Sequence, residues 1–268
     1  MPSPVAGRPP GSVLRASWWQ LALRRWWPPA VFGLAALILW ELISQSINPL
    51  LFAAPSRTVE AFGELILSGE LLDALIVTLS YLVPGLLISV VLGIALGIFM
   101  GRSVTWGTLL QPYLDAIYAL PRVAIIPLVI LWFGVGYEAR IFIIVLGSVV
   151  PIAMSTSAGV RYTSVKLLEA ARSFQATELQ IIRHVVIPSS IPFIISGLRI
   201  GTERALVGAV IAEVFLSLTG LGGIIQTEAE RFNAPYVIAA ALVYALLGGL
   251  SMTALGAIER RIAAWKAA

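Results

Sequence analysis

The sequence predicts an all-α, polytopic membrane protein with about six transmembrane helices, and three observations predict it. Mean hydropathy is +0.92, and of 268 residues 59% are hydrophobic and 12% charged, values outside the range of soluble domains. Residues 74–101, 141–160 and 232–258 contain no Asp, Glu, Lys or Arg, and a membrane span needs about 20 mostly apolar residues. Three further apolar segments, roughly 28–47, 109–135 and 192–216, are interrupted by polar residues. The basic residues are also segregated. With the amino terminus inside, twelve Lys and Arg fall on inner segments, against Arg57, Arg140 and Arg231 outside. This bias predicts cytoplasmic termini and a cytoplasmic 161–188 loop, and makes the net charge of +4 a topology signal, not a nucleic-acid signal.

Residues 1–27 are expected to form a cytoplasmic tail and an interfacial segment. The first thirteen are rich in Pro, Gly and Ser, as in disordered tails. In RASWWQLALRRWW, tryptophans 18, 19, 26 and 27 suit the headgroup layer, with arginines 15, 24 and 25 facing anionic lipid. The transmembrane domain is expected over 28–268. Its first span carries Glu41, either a functional acid or a side chain reaching the interface. An external helix follows, opened by Pro55-Ser56 and running through Glu60, Glu64 and Glu70. Gly93 and Gly97 in the second span form a GxxxG pair that permits close helix packing. Pro121 and Pro127 remove helical hydrogen bonds and predict a kinked or broken third span. Broken backbone at that depth is tolerated where it is buried in protein or lines a water-filled cavity. Arg122, beside the break, either faces a translocation path and favours an anion, or pairs with Asp115 or snorkels.

Between the fourth span (about 140–158) and the fifth lies the longest stretch that reads as helix without reading as membrane. Leu167, Ala170, Ala171 and Phe174 share one helix face. Thr177 with Gln180 matches a capping box that starts a second short helix, which Pro188 is expected to end. The pair is either a docking element or an amphipathic hairpin on the bilayer surface. The fifth span holds Arg199, Glu203, Arg204 and Glu213. Glu203 can meet Arg199 at i,i+4, and Glu213, deep in the span, should face the protein interior as a structural partner or a gate. LTGLGGIIQTEAERFNAP reads as a glycine-rich outer loop before the sixth span, about 234–257.

Glu169-Ala170-Ala171 followed by Ile187-Pro188 resembles the EAA loop of the permease subunits of bacterial ATP-binding-cassette importers. A second stretch, Pro121-Arg122-Val123-Ala124-Ile125-Ile126-Pro127-Leu128 with Trp132-Phe133-Gly134-Val135-Gly136, resembles permeases for nitrate, taurine, alkanesulfonates, bicarbonate and thiamine precursors. The resemblance implies a type I, MetI-like permease of the bacterial inner membrane. It also implies a second copy of the chain, two cytoplasmic ATPase subunits that bind ATP and Mg, and an external solute-binding protein. Carried over residue by residue, it assigns ATPase coupling to Glu169, Ala170, Ala171, Phe174, Gln175, Ala176, Arg183 and Pro188, within a coupling loop at about 161–190. Pro121, Arg122, Pro127, Glu203 and Glu213 are the translocation-path candidates. Gln175 stands where the family has glycine at the turn between the two helices. A positive φ there would place a Cβ in the left-handed region at a cost on the order of 1 kcal/mol.

The chain has no cysteine, so disulfide and thiolate chemistry are excluded. Its single histidine, His184, has no Cys or second His with which to share a metal, and no GxxxxGK[ST] loop occurs. The chain is therefore expected to hold no cofactor and to catalyse nothing itself. The competing class is an ion-coupled secondary transporter or channel. That class would need its own ion site and often an inverted repeat, and no repeat is visible.

Overall fold

The computed structural model of the chain describes residues 18–48, 52–217 and 219–263, and every regular element among them is helical. In chain order these are α1 (Trp18–Ser44), α2 (Pro55–Leu67), α3 (Glu70–Arg102), α4 (Val104–Ala119), α5 (Ile126–Phe133), α6 (Tyr137–Arg161), α7 (Val165–Ser173), α8 (Glu178–Ile181), α9 (Ile187–Ala212), α10 (Gly220–Glu230) and α11 (Ala234–Ala263). Five described helical stretches are long and apolar enough to cross a membrane, or six if α4 and the segment Arg122–Phe133, bent by 91°, count as one span. The predicted tail and the headgroup side chains before residue 27 lie outside the described residues.

Several boundaries differ from expectation. The helix of the first span begins at Trp18 and passes through Pro28 and Pro29. The external helix, opened by Pro55 in its first turn, ends at Leu67, and Gly69 at φ +80° separates it from α3, so Glu70 starts the next helix. Glu41 is placed as a cap. Its carboxylate accepts from Ser56 N at 3.1 Å and Ser56 Oγ at 2.9 Å, at the amino end of α2, where a negative charge meets unpaired N–H groups and the helix dipole. Trp40 Nε1, donating to the Ala53 carbonyl at 3.0 Å, closes the same corner. The glycine-rich outer stretch is the helix α10, not a loop. Thr219 is its N-cap, and its first turns (Gly220 to Ile224) are buried against the bundle. That burial supplies what glycine-poor helix propensity does not.

The centre of the bundle is α6, sandwiched between α3 and α9. The approach is close because glycines stand at the crossings. A Cβ on Gly93 would lie 2.7 Å from Ile152, and one on Gly97 would lie 2.6 Å from the Ala153 carbonyl. The GxxxG pair thus serves packing within the chain. From the other side, a Cβ on Gly201 would lie 2.7 Å from the same Ile152 side chain. Tyr81, Ile144, Ala205, Leu221 and Tyr244 form one buried cluster that joins α3, α6, α9, α10 and α11.

Adding volume at a crossing should therefore be costly, whereas a glycine on an open helix face should tolerate it. Gly97→Ala is expected to lower stability by about 1–3 kcal/mol. Gly63→Ala, where a Cβ meets nothing within 4 Å, should raise it by about 0.5–1 kcal/mol. Denaturant unfolding of the detergent-solubilised protein reads both.

Candidate functional site

The loop between α6 and α9 is built from caps. Phe174 caps the end of helix α7, and Gln175 follows at φ +54°, in the left-handed region where a Cβ is costly. Gln175 N donates to the Arg172 carbonyl at 2.9 Å, and Ala176 N donates to that of Ala171 at 3.1 Å. Those two bonds around a left-handed residue make a Schellman motif, which satisfies carbonyls a helix end would leave free. Helix α8 then starts on the predicted capping box: Gln180 N reaches Thr177 Oγ1 at 3.4 Å, and Thr177 N donates to Gln180 Oε1 at 2.7 Å.

Pro188 does not end this helix. Residues Ile182–Val186 form one wide π turn, in which Ile187 N bonds back to the Ile182 carbonyl, and the chain continues straight into α9. Pro188 stands in the first turn of α9, where a missing N–H is tolerated. The wider turn makes room for the ring that an unbroken α-helix would exclude.

The hairpin is pinned on one side only. Ile181 and Val186 are buried against Val160, with Leu168, Ala171 and Ala176 half-buried beside them, and Arg102 of α3 pairs with Glu178. The other side is apolar and open: Phe174 is 87% exposed and Leu179 74%, with Leu167 at 52%. The predicted apolar face of α7 therefore divides, Ala171 turning in and Leu167, Ala170 and Phe174 out. Glu169 and Arg183 are exposed, and Pro188 is half-buried. His184 is exposed, with Nδ1 3.0 Å from the Gln180 carbonyl.

The second group sits at the broken span. The α4 helix stops at Ala119, Pro121 is extended (φ −69°, ψ 105°), and one turn of 3₁₀ helix, Arg122–Ile125, leads into α5. The predicted break is therefore at Pro121. Pro127 does not kink anything, because it lies in the first turn of α5. Arg122 is not paired with Asp115, which instead accepts from Gln111 Nε2 at 3.0 Å. The Arg122 guanidinium lies across α6 at Gly147, where a Cβ would come within 2.5 Å of Nη1, and that same nitrogen donates to the Arg204 carbonyl at 3.0 Å. Arg204 of α9 donates to Tyr118 Oη at 3.1 Å, with its guanidinium carbon 5.3 Å from that ring's centre. Glu203 is exposed and does not pair with Arg199, which reaches across to Glu259 of α11 at 2.9 Å.

Glu213 belongs to neither group. It is fully buried, in a π turn (Glu213–Ser217) that extends α9. Thr78 Oγ1 donates to its Oε1 at 2.5 Å, and Tyr244 Oη and Gly222 N both donate to Oε2. Leu221 N in turn donates to Thr78 Oγ1 at 3.1 Å. The carboxyl is thus held by hydroxyls and by the amino end of α10, where anions are favoured, without a cation. Gly220 stands at φ +71°, and a Cβ there would collide with Oε1. Tyr118, Thr78 and Tyr244 were not visible as partners in the sequence, since each lies far along the chain from the residue it serves. Only the glycine cluster at 220–223 hinted at a close backbone approach.

Residues 89–264 match the family model described as the binding-protein-dependent transport system inner membrane component. The chain is 31% identical to the taurine transport system permease protein of Escherichia coli (strain K12), over 92% of this chain and 93% of that one. It is 30% identical to the putative aliphatic sulfonates transport permease protein of Bacillus subtilis (strain 168), over 90% and 88%. Its fold is similar to a chain of the inward-facing MetNI methionine ABC transporter, with TM-score 0.60 and 19% identity over 70% of this chain and 95% of that one.

Substitutions at two positions test the geometry. Gln175→Gly removes the Cβ from a left-handed residue and should stabilise the folded protein by about 0.5–1 kcal/mol, read by thermal unfolding. Glu213→Ala leaves two hydroxyls and a backbone N–H without their acceptor and should destabilise by about 3 kcal/mol or more. Glu213→Gln, which keeps one acceptor and offers Thr78 a donor, should cost about 1 kcal/mol. Equal effects of the two Glu213 variants would contradict the cluster.

Proposed function

The chain belongs to the inner membrane components of binding-protein-dependent transport systems, a multi-pass permease subunit of an ABC importer, and on that premise we propose how it works. Two copies form the translocation pathway. Two cytoplasmic ATPase subunits, which bind the ATP and Mg, grip the α7–α8 hairpins. A solute-binding protein delivers a small anion to the outer face. Both termini and the hairpin are cytoplasmic, as the distribution of Lys and Arg supports.

One observation carries this reading. Phe174, Leu179 and Leu167 form an exposed apolar surface on a hairpin whose backbone is rigidly capped and whose opposite side is buried. A hairpin lying on lipid would need no such fixed turn, whereas a surface that must transmit displacement would. The relatives carry taurine or aliphatic sulfonates by name, and Arg122, at the broken span, supplies positive charge for a solute of that kind. Catalysis is assigned to the partner, and the permease contributes binding, alternating access and coupling.

Phe174→Glu should abolish docking while leaving the fold intact, because the ring is almost wholly exposed. The co-purifying ATPase should be lost, and ATP-driven uptake of a sulfonate should fall by about tenfold or more. Uptake unaffected by ATP or by this substitution would favour an ion-coupled transporter instead.

A further inference from the structure

The ionisable side chains inside the spans are disposed of in different ways. Arg199 is paired with Glu259, and Glu213 is saturated by hydroxyl and amide donors. Arg140, near the end of α6, lies 5.1 Å from the centre of the Tyr81 ring. Among the basic side chains, Arg122 and Arg204 are left. They adjoin, since one donates to the carbonyl of the other, and among the described residues neither is in an ion pair. Their depth makes this unusual. Gly147, against which Arg122 lies, is about 15 Å along α6 from Tyr137 and about 21 Å from Arg161, and Arg204 is about 26 Å along α9 from Ile187. The Arg122 guanidinium therefore sits about midway along α6, and Arg204 lies inside the spanning length of α9, where an unpaired charge is expensive and marks a pathway.

We propose that Arg122 and Arg204, with Tyr118 as brace, form a binding station for a small singly charged oxyanion midway across the membrane. The proposal rests on the permease reading above and adds to it a site, a second cation and a ligand class. Arg122 is seated by Gly147 and by one bond from Nη1, and Arg204 is held by the Tyr118 hydroxyl and ring. Each guanidinium has five donors and spends one on these contacts, so donors remain on both planar forks. Such forks match the paired oxygens of a carboxylate, nitrate or sulfonate, which a lysine ammonium would not. An anion between the forks also relieves the repulsion of two neighbouring like charges where screening is weak. The break at Pro121 is what turns Arg122 toward α9. Glu203, the residue before Arg204 and also exposed, bears the opposite charge and makes the station weak enough for an anion to leave.

The test is binding of radiolabelled ethanesulfonate, without nucleotide, to the full chain in its purified membrane complex in phosphatidylcholine nanodiscs. Saturable binding is expected, displaced by unlabelled ethanesulfonate and not by its neutral counterpart ethyl methyl sulfone. Arg122→Gln and Arg204→Gln should each weaken it by about tenfold or more. Arg204→Lys, which keeps the charge and loses the fork, should weaken it by about threefold or more and serves where the Gln variant fails to assemble. No saturable binding by the parent, or equal binding by an assembled Arg204 variant, overturns the proposal. Discs containing phosphatidylglycerol separate a solute site from a lipid-headgroup site: unchanged ethanesulfonate binding supports the station, and competition by the lipid overturns it. Failure of the importer reading would register elsewhere, as ethanesulfonate uptake indifferent to ATP.

Discussion

Close approach of α3, α6 and α9 is the constraint on which the other features depend. Inside a bilayer the hydrophobic effect does not draw helices together, so contact area must come from backbones that can touch. Glycines at the crossings provide it. Ile152 of α6 is clasped between Gly93 of α3 and Gly201 of α9, so one side chain fills the space that two missing Cβ atoms leave. Gly147 uses the same device differently: its missing Cβ makes room for the Arg122 guanidinium. Packing and charge placement are thus set by the same residue type, placed on three helices that meet.

Local signals in the sequence were legible, and those depending on distant partners were not. The capping box at Thr177 and Gln180 and the break at Pro121 each depend on residues within a few positions, so chain chemistry alone announces them. The left-handed Gln175 was left open, because nothing in a glutamine announces a positive φ. Pro188 misled because proline ends helices as a rule, and a π turn is a tertiary accommodation that no local pattern announces. The Gly220–Gly223 stretch reads as a loop by propensity, and it is helical because Leu221 and Ile224 are buried against the bundle. Glu203 was the nearer partner for Arg199 by spacing, yet Glu259 of α11 is the one it meets. Helix-surface pairing at i,i+4 is worth only about 0.2–0.5 kcal/mol, which a contact between packed helices easily outweighs.

Glu41, Glu213 and Glu203, acids in or near the spans, divide by what satisfies them. Glu41 finds the amino end of α2, and Glu213 finds the amino end of α10 together with two hydroxyls. Both are carboxyl groups placed at the amino ends of helices, an arrangement that satisfies their oxygens without a cation. Glu203 has neither. Its exposure beside Arg204 is consistent with a water-filled surface, because a carboxylate against lipid at that depth would be costly. Solvent on that face of α9 is also what an exposed Arg204 requires.

The continuity from α8 through the π turn into α9 gives this arrangement a mechanical consequence. A helix is stiff along its axis, and the wide turn at Ile182–Val186 is the one departure from α geometry between the hairpin and Glu213. Displacement of the hairpin by a partner would therefore be carried along α9 to Arg204, and would reach Glu213 at its far end. Glu213 is bonded to α3, α10 and α11 at once, so the far end is held on three sides, while the near end is held on one side only and leaves its apolar side open to a partner. A rod fixed at one end and gripped at the other pivots instead of sliding. Arg204, between the two ends, would then move relative to Arg122, which is seated on α6. Opening and closing the distance between two guanidiniums is a direct way to change the affinity of a site between them, because the bidentate geometry each fork requires tolerates little misplacement.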